Sequence, residues 1–163
     1  MLWRAPNQTI AVLRFVYTLG EHHTGTLADF LNASRIPMVW GFDPLFQFMH
    51  ERDAAQALAL AIDCKLRGVY NVAGPSPLPL SALIRRAERR RVVLPERVLR
   101  ASLGKFGLPK LQPSAVDHIK YSLVVDDTQF RKATGFQPRH GQLETIRAFV
   151  APSSGSHSAS DRR

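Results

Sequence analysis

A single cysteine, Cys64, is the whole thiol complement of this 163-residue chain, which excludes an internal disulfide and any zinc centre built on paired cysteines. Its setting, Leu58-Ala59-Leu60-Ala61-Ile62-Asp63-Cys64, reads as that of a small packed hydrophobe. Long apolar runs are missing too. Arg14 interrupts the first, and Gln56 and Asp63 punctuate the second, so none approaches the ~20 residues of a membrane span. The N-terminus offers no basic region leading to an uninterrupted apolar core and a small-residue cleavage site, and a cytoplasmic location without membrane contact is expected. His22-His23 with His118 or His140 has no metal-ligand spacing, so no metal site is expected. The chain also lacks internal repeats.

What is present is ordinary for a globular protein: 45% apolar and 21% charged residues. The 22 Lys and Arg exceed 13 Asp and Glu to give +9, a balance that attracts phosphate groups. The arginines are dispersed, however, apart from Arg85-Arg86 and Arg89-Arg90-Arg91, which read as a solvated helix face. Little aromatic residue is interleaved there, so base stacking is not indicated and nucleic acid is not an expected partner. Residues 1–150 read as one domain. Ala151 to Arg163, with five Ser among its 13 residues, has too little apolar surface to offset the entropy of ordering and is expected to be a disordered tail.

Local patterns predict the elements. Thr9 to Leu19 is rich in β-branched and aromatic residues and stops at Gly20, which predicts one largely buried strand. Leu27, Phe30 and Leu31 share a helical stripe, and Ile36 to Trp40 is extended. Asp53 is suited to cap a core helix over Ala54 to Lys65, with Gly68 releasing the chain in a left-handed conformation. Val69 to Val72 is a second buried strand. Ser81 is expected to cap Ala82 to Arg91, and the prolines of Val92 to Val116 suggest short broken helices. Tyr121 to Val125 reads as extended. Asp126 with Gln129 has the form of a capping box opening Asp127 to Thr134, stopped by Gly135, and Leu143 to Val150 is an amphipathic helix.

Four of these segments, in this order, carry a resemblance. Leu13-Arg14-Phe15-Val16-Tyr17-Thr18-Leu19-Gly20 resembles a strand beginning Leu-Arg and ending in Gly. Phe46 to Ala54 resembles an aromatic-hydrophobic-His-x-x-Asp segment, Gly68 to Gly74 a Gly-x-Phe/Tyr-Asn-x-x-Gly strand, and Asp126 to Phe136 a closing Asp-x-x-helix-Gly-aromatic element. Each is weak alone. As an ordered set over about 140 residues they are similar to the C-terminal half of the extended short-chain dehydrogenases/reductases, the NAD-dependent epimerase/dehydratase family that includes UDP-glucose 4-epimerase.

The resemblance implies an α/β fold: the last strands of a partial Rossmann-like, doubly wound sheet, with about three core strands and four or five helices, plus a C-terminal substrate-binding subdomain. It implies NAD or NADP chemistry on a nucleotide sugar or similar small-molecule alcohol, with a Tyr assisted by a Lys four positions on and a Gly-rich turn for the cofactor diphosphate. Tyr17, Tyr70 and Tyr121 are instead followed four positions on by Glu21, Gly74 and Val125, and the ten glycines form no Gly-x-x-Gly-x-x-Gly. No residue is therefore assigned to catalysis, and this chain alone is expected to bind no NAD(P). By the same resemblance Val16 lies near the cofactor and Tyr17 and Phe46 near the substrate. Asn71 reads as a polar strand end or a pocket residue. Phe46 stands where the family often has an Arg for a diphosphate; Phe cannot neutralise one, which leaves a lipid-like, steroid-like or other apolar alcohol open as substrate. His50 reads as a structural hydrogen-bonding residue rather than a general acid/base.

Two readings follow. In one, the chain is a truncated or separately encoded substrate half, its apolar strand faces completed by another chain or by a homo-oligomer. In the other, it is a non-catalytic binding or regulatory module holding a partner protein or nucleic acid through its basic face or residual pocket.

Overall fold

The computed structural model describes residues 9–22, 26–109 and 115–150. The tail expected over 151–163 lies outside them, as does part of the proline-rich stretch. The described chain is α/β, with strands β1 (Ala11–Phe15), β2 (Tyr17–Leu19), β3 (Arg35–Val39), β4 (Leu45–Phe46), β5 (Phe48–His50), β6 (Gly68–Val72), β7 (Leu78–Pro79) and β8 (Arg90–Leu94). The helices are α1 (Thr26–Leu31), α2 (Glu51–Asp63), α3 (Leu80–Arg86), α4 (Glu96–Ser102), α5 (Ala115–His118), α6 (Thr128–Thr134) and α7 (Gln142–Val150). The strands form four two-stranded ladders: β1–β6, β2–β5 and β3–β8 parallel, and β4–β7 antiparallel.

The long strand expected over Thr9 to Leu19 is two strands. At Val16 the chain changes partner, from β6, which accepts the Val16 N–H at the Val72 carbonyl (3.1 Å), to β5, where Tyr17 aligns with Phe48. Val12, Leu13 and Phe15 are only half-buried, and Val69 on β6 is exposed. This parallel pair is therefore covered less completely than β-branched composition suggested.

Helix α2 forms because Ala54, Ala55, Ala57, Ala59 and Ala61, with Leu58 and Leu60, have high helix propensity. Its start corrects the sequence expectation. His50, not Asp53, is the N-cap: its Nδ1 accepts the Arg52 N–H at 3.1 Å. Its end differs too, because Lys65 takes the left-handed conformation (φ 49°) before Gly68 opens β6 at φ 125°. Cys64 is the C-cap and is exposed, not packed.

The stretch after Pro79 departs furthest from expectation. Helix α3 ends at Arg86, and Ala87 and Glu88 (φ 55°) turn the chain into β8, which pairs residue for residue with β3 from Arg35–Arg90 to Val39–Leu94. The arginine cluster is thus split between a helix end and a strand. Ser81 lies inside α3 and caps nothing: its N–H and hydroxyl both donate to Asp43 (2.9 and 2.6 Å). Asp126 does accept the Thr128 N–H at the start of α6 (2.9 Å), while Asp127 occupies the cap position, and Gly135 stops the helix at φ 70° as expected.

Two buried clusters organise the molecule. The larger gathers β3, α1, α3, α4, α5 and α7 around Leu31, Ile36, Leu83, Leu99, Ile146 and Phe149. The smaller, around Met49, Ala57, Ala61, Val72, Phe130 and Phe136, joins β1, β6, α2 and α6.

Candidate functional site

The junction between the clusters is where the four sequence segments meet. Strand β6 leaves the sheet through Ala73 and Gly74, and a Cβ at Gly74 would overlap the Phe48 carbonyl oxygen, so only glycine lets the two backbones approach this closely. The exit is fixed from α6. Asp127 accepts the Ala73 N–H (3.3 Å) and holds the Arg131 guanidinium through Nε (2.8 Å), while Arg131 Nη2 donates to the Gly74 carbonyl (3.2 Å). Asn71 Nδ2 donates to the Asp126 carbonyl (3.2 Å). The strand and closing-helix segments are thus one hydrogen-bonded unit.

The His-x-x-Asp spacing serves a second joint. With His50 capping α2, Asp53 falls in the first turn, buried to 1% exposure. Its carboxylate accepts the backbone N–H groups of Arg139 (3.2 Å) and His140 (3.1 Å) and the His140 Nδ1–H (2.8 Å). The two imidazoles of His50 and His140 stack at 4.1 Å between centroids. Burial, and then the His140 ring, hold the His50 pKa below its ordinary value. His50 and Asp53 therefore anchor α2 to the chain entering α7.

Beyond β2 lies a shallow open cleft, with enclosed room for about one water, lined by Tyr17, Leu45, Phe46, His118 and Leu123. The antiparallel β4–β7 pair and a bridge from Phe46 to Leu123 set its wall, and the Tyr17 and Phe46 rings stack at 5.9 Å. Gln47 supports that wall from behind, accepting the Val125 N–H at 2.9 Å. Burial pushes the Tyr17 phenol pKa up, so at neutral pH it is a protonated hydrogen-bonding group and a poor base. The neighbouring Lys120 ammonium is engaged by Glu96 (2.9 Å), which raises its pKa, and sits 5.0 Å from the Phe42 ring centroid and 5.1 Å from that of Tyr121.

The structure brings together two of the sequence-assigned residues, Tyr17 and Phe46. Val16 holds the β1–β2 junction, and Asn71 is tied to Asp126 and does not line the cleft. Sequence reasoning missed His118 and Leu123 in the lining, and Asp127, Arg131 and His140 in the joints. Only the Asp-Asp pair before α6 signalled any of them, because the roles of Arg131 and His140 depend on contacts across 57 and 87 residues.

The N-termini of α2 and α6, the helices that follow the matched segments, do not suit a dinucleotide diphosphate. In α2 the His50 ring already occupies the Arg52 N–H, and Glu51 and Asp53 place acidic groups in the first turn. Helix α6 opens behind Asp126 and its N-cap Asp127. Carboxylates at or just before the first turn repel the phosphates that a free helix N-terminus attracts. Among the described residues no group of three His, Cys, Asp or Glu side chains is placed to hold a metal, and no helix is long and apolar enough to cross a membrane.

No family model matches the sequence. Uncharacterized proteins of Mycobacterium bovis and Mycobacterium tuberculosis are each 31% identical over 152 residues, covering 88% of this chain and 39% of their own length. Among solved structures, UDP-N-acetylglucosamine 4-epimerase from Bacillus cereus is similar at TM-score 0.63 and 13% identity, over 93% of this chain and 49% of that one. UDP-glucose 4-epimerase from Bifidobacterium longum, in complex with NAD+ and UDP, gives 0.61 and 14% over 90% and 48%. UDP-glucuronic acid 4-epimerase from Bacillus cereus, in complex with UDP-glucuronic acid and NAD, gives 0.60 and 11% over 88% and 45%. The chain thus spans about two fifths of the curated relatives it matches and about half of these epimerases. Its fold is the Rossmann-like fold of part of the NAD-dependent epimerases.

Proposed function

We propose that residues 1–150 form the C-terminal, substrate-binding portion of an NAD(P)-dependent epimerase/dehydratase or related oxidoreductase, with hydride transfer and dinucleotide binding resting on residues outside this chain. The observation that carries this reading is the cleft: Tyr17 and Phe46, assigned to substrate from sequence order alone, stack on one another in its wall. Its lining of Leu45, Phe46 and Leu123 offers apolar surface, with the Tyr17 hydroxyl and His118 as polar groups. Such a surface suits an uncharged ring bearing a hydroxyl or carbonyl better than a diphosphate, which needs cations that pair with its oxygens. Among the described residues strand β1 pairs with β6 alone, which leaves an edge for a further parallel strand of the same fold.

Isothermal titration of the isolated chain with NADH and NADPH is expected to show no binding, and a micromolar dissociation constant would overturn the assignment of dinucleotide binding to residues elsewhere. Backbone amide NMR shifts at Tyr17, Phe46 and Leu123 are expected on adding cyclohexanol. An absence of shifts there with both cyclohexanol and UDP-glucose would remove the substrate-binding reading.

A further inference from the structure

Helix α2 is apolar on two faces. One packs inward through Ala57 and Ala61. The other consists of Ala55, Leu58, Ala59 and Ile62, all exposed, with Leu58 at 49% and Ile62 at 75% exposure. Spacings of three, one and three residues place these four within an arc of about 100° on the helix surface. A lone exposed leucine or isoleucine is unremarkable, but a continuous stripe over two turns marks a contact surface.

We propose that this stripe is the contact between two copies of this chain, which pair their α2 helices antiparallel about a two-fold axis passing between Leu58 and Ala59. The order of large and small residues supports that occupant. When two identical helices run antiparallel about this axis, Ile62 of each copy faces Ala55 of the other, and Leu58 of each faces Ala59 of the other. Both pairs then match a large side chain with a small one, the condition for close helix packing and for an isologous interface. The helix ends are compatible. Arg52, already paired with Glu21 at 2.9 Å, lies at one end, and Asp63 and Lys65 lie at the other, so neither end presents a block of one charge.

A helix of 13 residues is short. It offers less than the 1,200–2,000 Å² of a standard stable interface, so the association is reversible and visible at high protein concentration. The interface is separate from the Tyr17–Phe46 cleft and does not depend on the functional reading.

Sedimentation equilibrium from low micromolar to near-millimolar concentration tests it. The average mass is expected to rise from the monomer's 18.2 kDa towards twice that value. Ile62→Lys and Ile62→Ser, at a site too exposed to disturb the core, are each expected to weaken association about tenfold with unchanged circular dichroism and melting temperature. Ala59→Leu alone places leucine against leucine and is expected to weaken pairing, whereas Leu58→Ala combined with Ala59→Leu restores the large-to-small match and the association. The proposal is overturned if the wild-type mass stays at that of the monomer throughout, as it would if another polypeptide covers the stripe. It is equally overturned if the dimer survives Ile62→Lys, or if the double exchange fails to rescue Ala59→Leu.

Discussion

The two hydrophobic clusters differ in how far this chain covers them. The larger is enclosed by its own helices: α1, α3, α4 and α7 surround the β3 side, and Leu31, Ile36, Leu80, Leu83, Leu99 and Phe149 are fully buried. The smaller has a few buried centres, chiefly Phe130, Phe136 and Met49, ringed by half-buried Ala11, Leu13, Phe15, Val16 and Tyr70. A parallel strand pair needs cover on both faces, and among the described residues β1 pairs with β6 alone while Ala11, Leu13 and Phe15 stay half-buried. Among the described residues, one region is enclosed by this chain's own helices, and the other is ringed by side chains only half removed from water.

Truncations measure that difference most strongly. Phe149→Ala is expected to cost about 3–5 kcal/mol, the transfer loss plus an unrelaxed cavity, while Leu13→Ala on the half-buried strand costs about 1 kcal/mol. Urea unfolding of the two variants checks this, and equal shifts in midpoint would mean that the clusters are equally closed.

The next effect falls on the joint between them. Asp53→Ala leaves the Arg139 and His140 N–H groups without their acceptor, at an expected cost of about 2–4 kcal/mol. It should also speed hydrogen exchange at the His140 amide. A loss below about 0.5 kcal/mol, the range of surface substitutions, would show that the clusters are held together by other contacts.

The smallest effect is a pH dependence. Burial and the facing His140 ring depress the His50 pKa, as Arg52 does, while Glu51 and Asp53 push it the other way. The unfolded chain then binds the proton more readily than the folded one, so the stability from neutral His50 is complete above about pH 6.5 and is lost as pH falls below it. Protonation would also occupy the nitrogen that accepts the Arg52 N–H. His50→Asn keeps a capping acceptor and is expected to flatten this part of the stability curve relative to wild type. Parallel curves for the two proteins between about pH 7 and pH 5 would exclude His50 as the titrating group.

Much of the core was legible. Apolar patterning located α1, α2 and α7, capping signals located α6, and Gly135 was read correctly as a stop because its φ of 70° favours glycine. Errors fell where backbone turns used other residues. Lys65, Glu88 and Phe106 adopt positive φ without being glycine, so no residue type announced the end of α2 or the turn that makes β8 a strand. The partner change at Val16 escaped notice for another reason: both halves of that segment are β-formers, and pairing depends on strands some 30 and 60 residues away. In the candidate site Tyr17 and Phe46 were legible through segment order, whereas His118, Leu123 and His140 were not, since nothing local distinguishes a residue whose partner is far along the chain.

By itself, the amino-acid sequence determined the α/β class, the identity and order of the four segments, the absence of paired cysteines, and the apolar character of position 46. Those properties are local or compositional. Tertiary structure alone decided that His50 caps α2 while Asp53 clamps the approach to α7, that Asp127 and Arg131 fasten the end of β6, and that α2 keeps an apolar face turned to solvent. Each depends on which distant backbone N–H group, ring or surface comes within a few ångströms, and hydrogen bonding and burial act over that distance and no further.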